Sequence, residues 1–266
     1  MKLRVITYNI HKGVSAVSGR PRVHDLKKSL ASLDADILFL QEVQGRHDRL
    51  ATRFSSQWPQ EAQHEFLAAD HHHHAYGKNA IYRSGHHGNA LLSAYPIISQ
   101  NNQDISDHVF ESRGLLHCTL QIDQTRVHCY VVHLGLFNGG RQRQTRMLID
   151  CVKKTASPSE PIIIAGDFND WGDQLSDALR DTLHVRDVFE KAPHQKGHSH
   201  IRHIQRLVTG KDKPLPASTF PAVYPCLPLD RIYVRGFSVR SAMIMHGMRW
   251  AKVSDHAPLV ATLEIT

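Results

Sequence analysis

Eight short runs of mainly β-branched and apolar residues recur along the chain, and turn-forming residues bound each of them. Such runs predict β-strands. Three other segments carry apolar residues at helical spacing on one face and predict helices. Since strands and helices do not alternate regularly, the pattern favours two packed sheets with helices outside. The predicted strands are 3–10, 36–43, 89–97, 114–122, 126–134, 161–169, 229–236 and 256–265, and the predicted helices are 24–33, 141–155 and 173–183.

Length and composition predict a single domain that spans residues 1–266. Hydrophobic residues make up 41% of the chain, enough for a large core, and no change in composition marks a boundary. No segment resembles a secretory signal, and no apolar run reaches the ~20 residues that a membrane span needs. The four cysteines form no closely spaced pair. These features predict a cytoplasmic protein without disulfides or an integral membrane segment.

The formal net charge of +7 favours an anionic partner, such as nucleic acid, a phosphorylated metabolite or a lipid head group. Histidine is abundant, with 21 residues. Zinc sites need about three or four convergent ligands, and neither histidine-rich segment is accompanied by HExxH or paired cysteines. We therefore expect HHHH at 71–74 to be a solvated loop and HSHIRH at 198–203 to belong to a basic rim. Residues 191–228 lack periodicity and predict a long loop, with a short helix near 201–208.

Polar side chains stand at one end of six of the strand-like runs. In IIIAGDFN, Asp167 and Asn169 are two residues apart, so they point the same way in an extended chain. A single residue of this kind is usually a turn or cap residue, but six such ends predict one shared pocket. The residues are Asn9, Gln41, Glu42, His133, Asp167, Asn169, Asp230, Asp255 and His256.

The ordered set TYN, QE, HL, GDFN, LDRI and SDH resembles the endonuclease/exonuclease/phosphatase superfamily. That group includes deoxyribonucleases, AP endonucleases, sphingomyelinases and inositol polyphosphate phosphatases. The resemblance runs from Leu3 to Ile265, rests mainly on GDFN and SDH, and points to a bacterial branch. It implies an α/β (α+β) fold, the deoxyribonuclease-like four-layer α/β/β/α sandwich, in which two packed mixed sheets are flanked by helices.

Hydrolysis of a phosphoester needs a nucleophilic water, compensation of negative charge and help for the leaving oxygen. A hard divalent cation, Mg²⁺ or alternatively Mn²⁺, supplies part of this. The predicted metal ligands are Glu42, Asn9 and, by the resemblance, Asp255. Structural alternatives stay open, because Asn9 could cap a turn and Glu42 could pair with a surface arginine.

The remaining strand-end residues are assigned to catalysis. Asp167 is expected to orient or deprotonate the attacking water, and Asn169 to hold it or a phosphoryl oxygen. The resemblance pairs Asp230 with His256, which would contact a phosphate oxygen. It makes His133 an acid toward the leaving group or a phosphate donor, although a buried structural histidine is the alternative. Arg113 and Asn89 are second-tier candidates for contact with phosphate. The alternative is that they are solvated residues flanking their strands.

Two positions depart from the AP endonuclease pattern. His11 stands where those enzymes carry an acidic residue, two positions after the first Asn, and His133 stands where they carry an aromatic hydroxyl. Both differences bring the chain nearer to the deoxyribonuclease and phosphatase branches. Secreted deoxyribonucleases, however, have signal peptides and disulfides, neither of which is apparent in this sequence.

The sequence therefore predicts a metal-dependent hydrolase acting on phosphodiester bonds, with nucleic acid, DNA first, as the substrate. One alternative is a phosphatase or phosphodiesterase acting on phospholipid, inositol phosphate or another small phosphorylated molecule. Another is a non-catalytic phosphate-binding module. Endo- or exo-cleavage, one or two metals and the oligomeric state stay open.

Overall fold

The computed structural model describes residues 1–191 and 217–266. Within these residues the chain forms twelve strands in two six-stranded sheets. The strands are β1 Lys2–Asn9, β2 Ile37–His47, β3 His73–Tyr82, β4 Gly85–Ser93, β5 Ile97–Asp104, β6 Gly114–Ile122, β7 Thr125–His133, β8 Ile162–Asp167, β9 Arg186–Asp187, β10 Asp230–Arg235, β11 Phe237–Ile244 and β12 Leu259–Ile265. The helices are α1 Val23–Ala31, α2 Asp48–Arg53, α3 Gln63–Ala68, α4 Asn138–Thr155, α5 Ser176–Leu183, α6 Val188–Lys191 and α7 Met248–Ala251, and a 3₁₀ turn covers His11–Gly13.

Both sheets are mixed. The first has the order β11-β12-β1-β2-β4-β3 and the second the order β5-β6-β7-β8-β10-β9. Strands β1 and β2 run parallel in the first sheet, as do β7 and β8 in the second. Parallel neighbours finish at the same edge of a sheet, and the register places His133 beside Asp167. Strand β10 runs antiparallel to β8 and places Asp230 opposite Asp167, so three predicted site residues share one edge.

Three buried clusters define four layers. The cluster between the sheets combines residues such as Phe39 of β2 with Ile163 of β8. A second cluster joins the outer face of the second sheet to α4 and α5, for example through Leu148. A third joins the outer face of the first sheet to α1, through Leu26 and Leu30. This arrangement confirms the predicted sandwich of two mixed sheets flanked by helices.

Most predicted elements are present with shifted ends. Strand 114–122 and the hairpin that pairs Gln121 with Arg126 are confirmed. The predicted strand 89–97 is wrong at its end, because the chain leaves β4 at Ser93 and passes Pro96 before β5 begins in the other sheet. The prediction of a loop at 71–74 is also wrong in part, since His73 and His74 are exposed residues of β3.

The strands that the sequence did not predict share a place in the fold. Strands β3 and β11 are the two edges of the first sheet, and β5 and β9 are the edges of the second. An edge strand buries little of its length, so its sequence lacks a long apolar run; β5, for example, reads IISQNNQD and is mostly exposed.

Part of the predicted loop 191–228 falls outside the described residues. This holds for the short helix expected near 201–208, for HSHIRH at 198–203, and for the basic residues Lys196, Arg202, Arg206, Lys211 and Lys213. In the described part of the chain, no helix combines the length and apolar character required to cross a bilayer.

Candidate active site

Three polar side chains from other strand ends meet at the carboxylate of Asp167. Its Oδ2 accepts a hydrogen bond from Asn9 Nδ2 at 3.2 Å. The same oxygen lies 3.5 Å from His133 Nε2 and 3.7 Å from His256 Nε2. All four residues are buried. The predicted convergence of residues 9, 133, 167 and 256 is therefore present in the fold.

The backbone around Asp167 is shaped by glycine and asparagine. Gly166 has φ +154°, and a Cβ there would lie 1.9 Å from the carbonyl oxygen of Val132. Asn169 has φ +51°, and left-handed backbone is tolerated best by glycine and asparagine. Its N–H donates to Asp167 Oδ1 at 3.0 Å, and its Nδ2 donates to the carbonyl of Leu134 at 2.9 Å. The turn at Asn169 thus fixes the Asp167 carboxylate through its Oδ1 atom.

Asp167 has an unusual proton affinity for an aspartate. Burial, helped by the neighbouring Asp230, raises its pKa to about 7 against the opposing effect of His256. A carboxylate with a pKa near neutrality is suited to accept a proton at neutral pH.

Asp230 and His256 form a buried ion pair. His256 Nδ1 lies 2.8 Å from Asp230 Oδ2, and the hydroxyl of Thr219 donates to the same oxygen at 2.5 Å. Burial disfavours the charged imidazole, but Asp230 outweighs it and the pKa of His256 rises to about 10. His256 is therefore an imidazolium at neutral pH. Thr219 carries no signal in the sequence, because a lone threonine in ASTF is typical of any turn.

Ser254 ties the SDH segment to the first strand. Its hydroxyl donates to the backbone carbonyl of Asn9 at 2.7 Å and accepts from the N–H of His256 at 3.2 Å. This bridge brings Asp255 and His256 to the end of β1. The serine of SDH is thus a structural link rather than a site group, a distinction that the motif alone does not make.

A β-bulge positions Glu42. In the pairing of β2 with β4, Gln41 and Glu42 together oppose Asn89, since Leu40 pairs with Ala90 and Val43 with Gly88. Glu42 has φ +55°, and a bulge of this kind re-aims a side chain out of the regular alternation. Asn9 Nδ2 lies 3.5 Å from Glu42 Oε1. Glu42 and Asp167 thus flank the same amide.

Two residues of the bulge region have structural partners. Gln41 is fully buried and donates to the carbonyl of Phe39 at 3.0 Å and to Thr7 Oγ1 at 3.3 Å. Asn89 gives its amide hydrogens to the carbonyls of Gly114 at 2.8 Å and Val131 at 3.4 Å, both in the second sheet. This use of the amide favours a role for Asn89 in joining the sheets.

The 3₁₀ turn after β1 supplies positive charge. Lys12 Nζ lies 3.3 Å from Glu42 Oε2, and His11 Nδ1 lies 3.2 Å from Asp255 Oδ1. The pairing with Asp255 raises the pKa of His11. Burial opposes ionisation of Glu42, but its surroundings, with Lys12 and His11 as positive neighbours, bring its pKa down to about 2. Glu42 is therefore a carboxylate at neutral pH.

The donor set fits a hard cation best at Glu42. Among the described residues, Asp167, Asp230 and His256 lie close enough together to hold an ion, within 4.8 Å of one another. A doubly protonated imidazole has no free lone pair for a metal, so this group fits a hydrogen-bonded ion system better. Glu42 Oε2 is buried beside the Lys12 ammonium, 3.3 Å away, and accepts no other hydrogen bond from the described residues. Asn9 could add its oxygen only after its amide rotates, because Asn9 Oδ1 accepts the His11 N–H at 3.1 Å.

His133 has a second charged neighbour besides Asp167, the guanidinium of Arg113. Burial lowers the pKa of His133 well below its usual value, and Arg113 lowers it further. A neutral His133 can donate one N–H, but it is a weak acid source at neutral pH. Among the described residues, buried Arg113 Nε has no hydrogen-bond partner and pairs with Glu111 Oε1 only at 3.9 Å. His87 was not predicted from the sequence. Its buried Nδ1 has no hydrogen-bond partner among the described residues, and burial lowers its pKa to about 4.

Two six-stranded mixed sheets, helices on both outer faces and a polar site at one end of both sheets define a deoxyribonuclease-like α/β/β/α protein. Comparison with known sequences makes this more specific. The chain belongs to the Endonuclease/Exonuclease/phosphatase family, whose profile matches residues 6–256.

Individual relatives are similar to this chain over nearly its full length. The uncharacterised protein YbhP of Escherichia coli (strain K12) is 37% identical over 268 residues, which cover 98% of this chain and 96% of that protein. The endonuclease/exonuclease/phosphatase from Bacteroides vulgatus superposes with a TM-score of 0.74 at 16% identity and covers 100% of both chains. Mannosyl-6-phosphatase of Bacteroides thetaiotaomicron superposes with a TM-score of 0.70 at 17% identity, over 99% of this chain and 100% of that one. Both structural likenesses concern the fold.

Proposed function

We propose that the chain is a divalent-metal-dependent phosphoesterase that hydrolyses phosphodiester bonds. One observation carries the proposal: Asp167, with a pKa of about 7, lies 3.7 Å from a histidine whose pKa is about 10. A proton acceptor and a fixed positive charge are thus adjacent in one buried site, as attack of water on a phosphate requires.

In the proposed reaction Asp167 accepts a proton from the attacking water, and the water oxygen forms a new bond to phosphorus. The P–O bond to the leaving alcohol breaks. The leaving oxygen takes up a proton from solvent and Asp167 returns its proton to solvent, which restores the carboxylate. His256 donates its Nε2–H toward a phosphoryl oxygen, while Asp230 keeps the imidazole charged and oriented. The backbone turn at Asn169 holds the Asp167 carboxylate. His133 and Arg113 provide further N–H donors.

Glu42, with Asn9 and Asp255 as further predicted ligands, would hold the cation. When bound, Mg²⁺ or Mn²⁺ compensates negative charge on the phosphate. Lys12 occupies the same side of Glu42 with its ammonium group, so we infer that Lys12 and a cation compete for this carboxylate.

Two classes of substrate are to be tested. Nucleic acid, DNA first, is supported by the net charge of +7. A phospholipid or a small phosphorylated molecule is the second class, and the fold shared with a mannosyl-6-phosphatase supports it. We also propose one domain over 1–266 and a cytoplasmic location; the matched residues 6–256 support the single domain.

A screen for hydrolysis tests the proposal. Bis-p-nitrophenyl phosphate, plasmid DNA, RNA, phospholipid vesicles and inositol phosphates are incubated with the protein and Mg²⁺ or Mn²⁺, beside Asp167→Asn. We expect turnover that requires the cation and is abolished in Asp167→Asn. Absence of turnover on all substrates would favour the non-catalytic phosphate-binding alternative. Near-wild-type turnover by Asp167→Asn would show that the role given to this carboxylate is wrong.

A further inference from the structure

Exposed apolar side chains are concentrated around the site. Of the thirteen large apolar residues exposed in the described part of the chain, nine lie on five segments that leave the site end of the two sheets. We call the exposed apolar side chains of these segments the apolar rim; the segments are 10–22, 105–113, 134–137, 168–175 and 217–229. A random scatter would not favour one end of the molecule, and a concentration of exposed apolar surface marks an interaction site.

Three of the five segments are joined into one surface. The guanidinium of Arg141 lies 4.9 Å from the ring centroid of Trp171 and donates to the carbonyl of Leu136 at 2.5 Å. Arg143, two residues on in α4, pairs with Asp107 at 2.5 Å. The first turns of α4 therefore hold the segments 105–113, 134–137 and 168–175 together. The apolar residues of these segments are therefore carried by loops that are tethered to the same helix end.

The rim residues come in consecutive pairs and project strongly into solvent. Phe110 is 93% exposed and follows Val109, and Phe137 is 72% exposed and follows Leu136. Across the site, Tyr224 is 80% exposed and follows Val223. Its segment is anchored by the N–H of Ala222, which donates to the carbonyl of Asp255 at 2.7 Å.

The chemistry of the rim favours a bilayer surface over a nucleic acid strand. A nucleic acid strand binds through bases that stack on aromatic faces. Val17, Val109 and Val223 have no aromatic ring and cannot take part in such stacking. The interface of a bilayer accepts aliphatic side chains together with Trp, Tyr and Phe. The positive net charge, with exposed Arg20 in the same segment as Val17, complements anionic lipid head groups.

We propose that the apolar rim docks the protein onto an anionic phospholipid bilayer and presents the site to the phosphodiester of a lipid head group. Docking needs only the rim and the net charge. The inference that a lipid is the substrate rests on the proposed function.

Vesicle binding tests docking independently of turnover. The protein is sedimented with vesicles of phosphatidylcholine alone and of equimolar phosphatidylcholine and phosphatidylglycerol, and its binding to a DNA oligonucleotide is measured in parallel. The test variant is Phe110→Ser/Phe137→Ser/Tyr224→Ser. The control is Ile81→Ser/Ile98→Ser, which changes two exposed apolar residues of β3 and β5 that lie outside the rim.

We expect binding to the anionic vesicles to fall about tenfold or more in the rim variant, because each aromatic side chain loses its apolar transfer. The control variant should bind like the wild type, and both variants should keep their hydrolysis of bis-p-nitrophenyl phosphate and their melting temperature. Cleavage of vesicle lipid should fall with binding.

Other outcomes overturn the proposal. Absence of vesicle binding by the wild type would do so, as would a rim variant that loses DNA binding or self-association instead. Retained vesicle binding without hydrolysis of any substrate would leave docking standing and contradict the proposed function.

Discussion

Asp230 and His256 are 26 residues apart in the chain, and their Oδ2 and Nδ1 atoms lie 2.8 Å apart in the interior. This pair raises the pKa of His256 from 6.5 to about 10 despite burial, which acts in the opposite direction. Removal of the Asp230 charge should therefore change the protonation of His256 and, with it, the charge that the site offers to a phosphate.

Asp230→Asn is expected to lower the pKa of His256 toward its ordinary value of 6.5. Above that pH the imidazole becomes neutral, and we expect turnover at pH 8 to fall by roughly 100-fold, the scale of a lost acid–base group. Titration of the His256 ring by NMR measures the pKa without depending on turnover. A ring that stays protonated at pH 8 in Asp230→Asn would contradict the assignment.

Glu42 and Lys12 should change cation affinity in opposite directions. Glu42→Gln removes the ionised carboxylate and should weaken Mn²⁺ binding by about tenfold or more, because the charge of the ligands sets affinity for hard cations. Lys12→Met removes the competing ammonium at 3.3 Å and should tighten binding. Isothermal titration calorimetry with Mn²⁺ measures both changes. Equal affinities in all three proteins would place the cation elsewhere.

Gly166→Ala should destabilise the protein by roughly 2–4 kcal/mol, since the new Cβ meets backbone that cannot move away cheaply. The clash is with the Val132 carbonyl oxygen, 1.9 Å from the added Cβ. Gly172→Ala, where the nearest atoms are 3.5 Å away on the Gln174 side chain, is the matched control and should lie within about 0.5 kcal/mol of the wild type. Chemical denaturation compares the two, and equal stability would contradict the clash.

Buried histidines should make the protein sensitive to acid. His117 stacks on Tyr130 at 4.5 Å and contacts His128 at 3.0 Å, and burial lowers its pKa from 6.5 to about 4. His64, stacked on Tyr76 at 4.5 Å, is shifted in the same way to about 4. In both cases the unfolded chain takes up protons first. Stability is therefore fully present above pH 6.5 and falls as the pH drops toward about 4.

His117→Phe tests this dependence. The variant loses the contact with His128 at all pH values, but the further loss of unfolding free energy between pH 6.5 and 4 should be smaller than in the wild type. His73→Ala, at an exposed position of β3, should keep the wild-type slope. Denaturant titrations at several pH values measure the slopes, and an unchanged slope for His117→Phe would contradict the role of its burial.

How much of this candidate site can be predicted from the sequence depends on whether each feature is set by neighbouring residues or by residues far apart in the chain. The apolar runs of β1, β2 and β8 and the polar residues at their ends are local patterns, and they predicted that Asn9, Glu42 and Asp167 belong together. Edge strands such as β5 were missed, because exposure on both faces leaves no apolar periodicity to detect.

Other features depend on register between distant segments. The bulge that aims Glu42 arises where β2 pairs with β4, and nothing near Glu42 in the chain encodes it. The side-chain hydrogen bonds of Gln41 to Thr7 and of Asn89 to Gly114 likewise join segments that are distant in the chain. Thr219, which donates to Asp230, has no sequence signal at all.

By itself, the sequence determined the class of fold and the chemical types of the site residues, because strand periodicity and motif order are properties of short segments. The tertiary structure decided the protonation of Asp167 and His256, the hydrogen bonds that Gln41, Asn89 and Ser254 make within the fold, and the grouping of exposed apolar side chains into a rim. Those properties depend on distance, burial and neighbouring charge, and they exist only once the two sheets have packed.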